Sequence, residues 1–184
     1  MGSGGVECKW HMAIPILIGL GANLPSPRHG PPVATLEAAL ATLAGQGLEI
    51  VARSGWWESA PVPASDQPWY VNGVVEVRTK LGPEELLALL HSVEADFGRV
   101  RTVPNAPRVL DLDLLAYGSL LRPGPEPPLL PHPRLAERGF VLYPLAQIQA
   151  NWRHPATGLT VAQMIARLPS GAPVRLLPQS PASD

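Results

Sequence analysis

Two aspartates, Asp111 and Asp113, stand two residues apart in a short run that alternates with leucine. Residues two apart in a β-strand face the same side, so both carboxylates would project together. Adjacent carboxylates repel each other unless a cation lies between them, and their hard oxygen atoms suit Mg²⁺ with room left for water and phosphate. A solvated strand end with two surface acids fits the same short pattern, so spacing alone leaves both interpretations open.

Three arginines, Arg99, Arg101 and Arg108, lie in or beside the loop that leads into this strand. They could neutralise the carboxylates in weak surface ion pairs. They would equally suit a polyphosphate held between cations and metal, because phosphoryl transfer needs metal on the bridging oxygens and positive charge near the transferred group. The chain has no Gly-rich loop followed by Lys and Ser or Thr, so we do not expect a P-loop nucleotide site.

Tyr70 and Asn72 form a second pair that would share one face of a strand. The asparagine amide offers a donor and an acceptor side by side, which matches the edge of a purine or pterin ring, and the tyrosine could stack on such a ring. Taken alone, the pair is better explained by a tyrosine packed in the core and an asparagine at a strand end. His91 and Glu94 lie three apart on a predicted helix, and we expect them on a solvated flank away from its apolar stripe.

The elements that would position these residues follow from hydrophobic periodicity. Strands are predicted near residues 14–20, 48–57, 69–77 and 109–117, helices near 33–43, from 83 onward and at 161–168, and a helical turn at 134–139. The first strand is expected to end in a tight turn at Gly19, Gly21 and Asn23. Two consecutive strands favour a hairpin, so we predict an α+β fold with a mainly antiparallel sheet flanked by helices in a single domain.

Composition limits the class of protein. The 184 residues, 46% of them hydrophobic, suffice for one compact domain, and a net charge of −1 excludes the broad basic field of non-specific nucleic-acid binders. The single cysteine, Cys8, permits no internal disulfide and fits a reducing, cytoplasmic location. The longest apolar stretch is too short for a membrane span. We expect residues 1–12 to be a disordered extension, 13–178 the domain and 179–184 a disordered tail.

A set of spaced motifs runs from about residue 16 to residue 168. It includes Gly19-Leu20-Gly21-Ala22-Asn23-Leu24, Asp66-Gln67-Pro68-Trp69-Tyr70-Val71-Asn72, Pro107-Arg108-Val109-Leu110-Asp111-Leu112-Asp113, Pro131-His132-Pro133-Arg134-Leu135 and Glu137-Arg138-Gly139-Phe140. Together they resemble the 6-hydroxymethyl-7,8-dihydropterin pyrophosphokinase family of folate biosynthesis. The resemblance implies a ferredoxin-like fold and transfer of pyrophosphate from Mg-ATP to the pterin alcohol, with release of AMP.

The resemblance also implies a role for each candidate residue. The catalytic residues would be Arg99, Arg108, Asp111 and Asp113, with both aspartates binding two Mg²⁺ ions. ATP would contact His91, Glu94, Arg101, Leu114, His132 and Arg138. The pterin would contact Ser59, Pro61, Val62, Tyr70, Asn72 and Phe140, with the ring between the two aromatic side chains. The expected partners are small molecules, and neither nucleic acid nor a membrane is expected as a partner. The protein would be a monomer with a functional link to dihydropteroate synthase.

One loop departs from the family pattern. Residues 102–106 read Thr-Val-Pro-Asn-Ala and lack the Arg-Trp pair that many members carry before the Pro-Arg motif. That tryptophan would cover the pterin, and that arginine would contact a phosphate. Two alternatives therefore remain: a related Mg-dependent kinase acting on another pterin-like alcohol, and a pterin- or nucleotide-binding module without catalysis. Retention of the four catalytic residues argues against the second.

Overall fold

The structure is a computed structural model that describes residues 15–99, 107–169 and 173–178. Its elements are, in chain order, β1 (Ile16–Ala22), α1 (Pro32–Gly45), β2 (Glu49–Arg53), β3 (Trp57–Ser59), β4 (Tyr70–Arg78), α2 (Pro83–Asp96), β5 (Asp111–Tyr117), a 3-10 helix (Leu135–Glu137), α3 (Gly139–Ile148), α4 (Val161–Ile165) and β6 (Val174–Leu176). The expected disordered ends, 1–12 and 179–184, and the loop 102–106 lie outside the described residues. Within the described ranges no helix has the length and apolar character needed to cross a membrane.

All strand pairs of the sheet are antiparallel, in the order β5-β1-β4-β3-β6, with β2 also paired to β4. The predicted antiparallel sheet and the predicted hairpin are therefore confirmed. Strands β1 and β4 occupy the middle, in a register that runs from Ile16↔Val77 to Ala22↔Val71. Strand β5, which carries the aspartate pair, is one edge of the sheet.

The single strand predicted over residues 48–57 is wrong, because two strands, β2 and β3, replace it. Between them, Ser54 Oγ accepts a hydrogen bond from the N–H of Val74 at 3.0 Å, and the N–H of Ser54 donates to the carbonyl of Val74 at 3.0 Å. A hydroxyl placed in this way substitutes for a backbone partner and interrupts the ladder. The chain resumes pairing with β4 at Trp57, which lies opposite Asn72.

Two element boundaries and one short strand also differ from the sequence prediction. Strand β1 continues to Ala22, so Gly19 and Gly21 lie inside the strand rather than in the expected turn. The last helix ends at Ile165 instead of residue 168. Strand β6 was not predicted, because its three residues are held by pairing with the distant strand β3 and carry little local signal.

Helices cover both faces of the sheet. Helices α1 and α2 pack on one face in a cluster with Leu20, Val75 and Leu112. Helix α3 packs on the other face in a cluster with Leu17 and Val74, and α4 packs against α3. Each fully buried leucine stabilises the fold by roughly 1.5–3 kcal/mol relative to an exposed one. Because side chains alternate along a strand, the residues of β5 next to Leu112 face α3.

Helix α2 begins and ends close to the residues that the sequence predicts. Pro83 occupies its first turn, and Glu85 accepts a hydrogen bond from the N–H of Gly82 at 2.8 Å. Beyond the helix, Gly98 has a φ of +86°, which glycine adopts without strain. The turn directs Arg99 back along the helix, where its N–H donates to the carbonyl of Glu94 at 3.0 Å.

Gly73 of β4 permits the close approach of an indole ring. A Cβ atom at Gly73 would lie 2.6 Å from Cζ3 of Trp56, and Trp56 is held in place by a 2.9 Å hydrogen bond from its Nε1 to Glu37. We predict that Gly73→Ala lowers the free energy of unfolding by about 1–3 kcal/mol in urea denaturation, because the clash forces the ring or the strand to shift.

Gly45→Ala is the matched control for this prediction. Gly45 is the last residue of α1, and a Cβ atom there would meet nothing within 4 Å. We expect its stability to be unchanged or increased by up to about 1 kcal/mol, since alanine is the better helix former. A Gly73→Ala variant as stable as the wild type would contradict the account of this contact.

Candidate active site

A row of register partners crosses three strands on the face covered by α3. Asp111 of β5 lies opposite Gly21 of β1, which in turn lies opposite Asn72 of β4. A Cβ atom at Gly21 would lie 3.4 Å from Oδ1 of Asn72 and 3.7 Å from Cβ of Asp111. The glycine therefore leaves an open space between a carboxylate and an amide, which could accommodate a ligand.

The second aspartate repeats this arrangement one step along the sheet. Asp113 lies opposite Gly19, as Asp111 lies opposite Gly21. Both aspartates therefore lie on the same face of the sheet, each next to a glycine of β1. Leu112 and Leu114 point to the opposite face and are buried in the core with α1 and α2. The same-face prediction for the two carboxylates is confirmed.

Arginine side chains surround the two carboxylates. Asp111 is ion-paired with Arg99 through Oδ1 and with Arg108 through Oδ2, the latter at 2.8 Å from Nη1. Asp113 is paired with Arg138 at 3.2 Å between Oδ2 and Nη1. These groups are partly buried, so their attraction is screened less than that of a surface pair. The arginines offset the repulsion between the two acids.

Glu94 is buried, and the expectation that it lies on a solvated flank is wrong. The residue is only 1% exposed. Oε1 accepts a hydrogen bond at 2.7 Å from the backbone N–H of Leu112, between the two aspartates, and is also ion-paired with Arg99. A buried carboxylate requires such partners to offset its lost hydration. Glu94 thus joins α2 to β5 and positions Arg99 beside Asp111.

Arg108 is held by a residue that sequence reasoning did not select. Asn23 is buried, and its Oδ1 accepts a hydrogen bond from the N–H of Arg108 at 2.8 Å, while its own N–H donates to the carbonyl of Arg108 at 3.0 Å. Its Nδ2 also donates to the carbonyl of Pro68 at 3.1 Å. Asn23 belongs to the Gly-x-Gly-x-Asn motif, from which the sequence predicts only a tight turn. Asn23 ties together the loops on both sides of the site.

A cavity adjoins the glycine row and continues toward the loop between β3 and β4. Arg108, Asp111 and Arg138 line this cavity. The lining also contains all six residues that the resemblance assigns to the pterin, which are Ser59, Pro61, Val62, Tyr70, Asn72 and Phe140. The volume of this cavity, which is open on one side, is about 130 Å³. The structure therefore brings the predicted ring-binding residues and part of the predicted phosphate-binding set into one cavity, which also includes Arg134.

Asn72 is oriented by its neighbour on β3. Its Nδ2 donates to Oγ of Ser59 at 3.0 Å, and its Oδ1 faces Gly21. Burial raises the pKa of Tyr70, so its hydroxyl keeps its proton at neutral pH. Across the cavity, the guanidinium of Arg138 lies 5.5 Å from the ring centroid of Phe140. These contacts pre-position an amide and two aromatic rings in the cavity wall.

The remaining predicted ATP contacts are spread over several elements. His132 is partly buried, and burial lowers its pKa, so it is mainly neutral at pH 7. Its Nδ1 accepts a hydrogen bond from the N–H of Arg134 at 3.1 Å. His91 is exposed on α2, and Leu114 is 4% exposed with its side chain in the core. Arg101 lies outside the described residues.

The aspartate pair provides the donor set expected for magnesium. In the described ranges no group of three or more His, Cys, Asp or Glu side chains could enclose a metal ion. Two carboxylates alone leave most coordination positions to water and substrate oxygens, which is how Mg²⁺ is commonly bound next to phosphates. Nε of Arg138 is buried without a hydrogen-bond partner in the described part of the chain. An oxygen-rich anion beside Asp113 would provide one.

Comparison with known proteins shows the family to which the chain is similar. The sequence model of the 7,8-dihydro-6-hydroxymethylpterin-pyrophosphokinase (HPPK) family matches residues 17–150. The 2-amino-4-hydroxy-6-hydroxymethyldihydropteridine pyrophosphokinase of Synechocystis sp. is 40% identical over 154 residues, which cover 83% of this chain and 75% of that protein. The folic acid synthesis protein fol1 of Pneumocystis carinii is 36% identical over 153 residues, and the chain spans only 20% of its length.

The fold also matches a solved structure. The crystal structure of Plasmodium falciparum HPPK-DHPS superposes with a TM-score of 0.62 at 12% identity, over 83% of this chain and 44% of that chain. At this identity the match concerns the fold, which is the ferredoxin-like α+β fold with one antiparallel sheet. With the family match covering most of the described sheet and helices, the chain belongs to the 7,8-dihydro-6-hydroxymethylpterin-pyrophosphokinase family of diphosphotransferases.

Proposed function

We infer that this protein transfers the pyrophosphoryl group of ATP to the hydroxymethyl oxygen of 6-hydroxymethyl-7,8-dihydropterin, releasing AMP, as a step of folate biosynthesis. The observation that carries this function is the single cavity that joins Asn72 and two aromatic side chains to Arg108 and Asp111. One end of it suits a flat heterocycle, and the other suits a metal-bound polyphosphate. One chain supplies both ends of the cavity, which supports a monomeric enzyme, and the single cysteine supports a cytoplasmic location.

The pterin would bind at the end of the cavity formed by β3, β4 and α3. Asn72 would read the amide edge of the ring, because Ser59 fixes its Nδ2 and leaves Oδ1 facing the gap at Gly21. Tyr70 and Phe140 would lie on the two faces of the ring. Ser59, Pro61 and Val62 would complete the pocket through backbone and packing contacts.

The nucleotide would bind over β5, near the arginines. Arg99 and Arg108 would exchange their bonds to Asp111 for bonds to phosphate oxygens, since a guanidinium pairs with phosphate as it does with a carboxylate. Arg138 would use its unpartnered Nε in the same way. The further ATP contacts would come from His91, Arg101 and His132. Glu94 and Leu114 are buried, so Glu94 would act through Arg99 and Leu114 would contact ATP through its backbone.

Asp111 and Asp113 would hold two Mg²⁺ ions, which would supply positive charge to the polyphosphate. The two carboxylates are the metal-binding groups, and the chain's further contribution is position and charge. The hydroxymethyl oxygen attacks the β-phosphorus, the bond from that phosphorus to the α–β bridging oxygen breaks, and the hydroxyl proton is released. Arg99 and Arg108 stabilise the spreading charge, without a covalent enzyme intermediate.

The first prediction for this function concerns the nucleotide product. Incubation of the protein with Mg-ATP and the hydroxymethyl dihydropterin should yield AMP and pterin pyrophosphate in equal amounts, because both outer phosphates move together. Chromatography of the nucleotides measures the yield. AMP should require the pterin. Formation of ADP would indicate a different kinase, and pterin binding without turnover would indicate a binding module.

The second prediction concerns the aspartate pair. Asp113→Ala should lower kcat on the order of 10²–10³-fold, since it removes a metal-binding carboxylate needed at the developing charge. Circular dichroism and thermal denaturation should show a fold close to that of the wild type, because Asp113 is partly exposed. Asp96→Ala, at the exposed end of α2, is the control and should keep full activity. A fully active Asp113→Ala enzyme would rule out the metal assignment.

A further inference from the structure

Strand β6 lies beyond the part of the chain that the family model matches, and it borders the pterin end of the cavity. It pairs with β3 in the register Ser59↔Val174 and Trp57↔Leu176. The N–H of Ala60 also donates to the carbonyl of Pro173 at 3.4 Å. The last described segment therefore holds the backbone at the point where the chain leaves β3 for the loop of residues 60–69.

One side chain of β6 contacts both ends of that loop. Nε and Nη2 of Arg175 lie 2.8 Å and 2.7 Å from Oε2 of Glu58, which precedes the loop on β3. The guanidinium carbon lies 4.9 Å from the ring centroid of Trp69, which ends the loop before β4. A guanidinium over an indole ring is a favourable cation–π arrangement. Arg175 thus bridges the two strands at the base of the loop.

The loop that Arg175 spans forms much of the cavity wall. Its lining residues are Ala60, Pro61, Val62, Pro63, Ser65 and Gln67. Ser59 and Tyr70 are register partners at the base of the loop, and both also line the cavity. Since side chains alternate along a strand, Glu58 of β3 lies on the face opposite to Ser59, and neither Glu58 nor Trp69 lines the cavity. The Arg175 contacts are therefore made directly behind the pocket wall, without touching the ligand space.

We propose that Arg175 is a positioning residue for the heterocycle pocket: it holds the two ends of loop 60–69 at a fixed separation and so pre-orders the loop for pterin binding. This inference rests on the proposed function for the identity of the ligand. Pre-ordering a loop increases affinity because less conformational freedom is lost on binding. The nucleotide end, built on β5 and α2, does not depend on Arg175.

Arg175→Gln tests this role. We expect the KM for the pterin to rise about three- to tenfold, as one exposed ion pair and one cation–π contact are lost, with kcat and the KM for ATP unchanged. Arg175→Lys should recover part of the effect, because it restores the positive charge. Hydrogen exchange of the amides in loop 60–69 should become faster in Arg175→Gln.

Arg78→Gln is the matched control. Arg78 lies at the other end of β4 and is paired with Glu49 across the sheet at 3.4 Å, with both side chains largely exposed. The control should resemble Arg175→Gln in thermal stability but keep the wild-type KM for the pterin. An unchanged pterin KM in Arg175→Gln, or equal losses in both variants, would overturn the proposal.

A direct binding measurement separates this proposal from the proposed function. Titration of the pterin, followed by its fluorescence, should give a higher dissociation constant for Arg175→Gln than for the wild type, even if no product forms. Absence of turnover in the wild type would refute the proposed function alone. Equal pterin dissociation constants in the wild type and Arg175→Gln would refute the role of Arg175.

Discussion

The site depends on two carboxylates of like charge that a single strand places on one face, two residues apart. Without a cation they repel, and the structure offsets this with Arg99 and Arg108 on Asp111 and with Arg138 on Asp113. These arginines come from the end of α2, the loop before β5 and the segment before α3. The ion pairs therefore determine where three separate parts of the chain must meet. In the proposed function, a polyphosphate with its metal ions would replace each of these pairs with an equivalent one.

The second requirement is space, which the chain provides by placing glycine in a buried central strand. Gly19 and Gly21 lie opposite Asp113 and Asp111, and a side chain at Gly21 would reach the amide of Asn72. Glycine weakens a strand because it has no side chain to pack and loses more backbone freedom on folding than any other residue. The apolar neighbours of these glycines, Leu20 and Ala22, are buried against the helices on the other face. On one face of β1 the side chains of Leu20 and Ala22 therefore stabilise the core, and on the other face Gly19 and Gly21 leave space for the site.

Local pattern was enough to predict some of this arrangement, and tertiary contacts determine the rest. Strand alternation correctly placed Asp111 and Asp113 together, and the Gly-Pro-Glu-Glu start correctly located α2. The burial of Glu94 could not be predicted from helical periodicity, because its partners, the N–H of Leu112 and Arg99, come from a strand and a loop. The break at Ser54 depends in the same way on Val74. Strand spacing drew attention to Tyr70 and Asn72, whereas Ser59, Pro61, Val62 and Phe140 came only from the family resemblance, because none of these four carries a distinctive local signal.

In the proposed function, the arginine-paired carboxylates of Asp111 and Asp113 become a metal site only together with the nucleotide phosphates. Calorimetric titration with an ATP analogue that has a methylene group between the α- and β-phosphorus atoms tests this most directly, because that analogue cannot transfer its outer phosphates. The wild-type protein should bind the analogue at least about tenfold more tightly with Mg²⁺ than with a chelator present, a difference of about 1.4 kcal/mol. Equal or tighter binding in the chelator would contradict the claim.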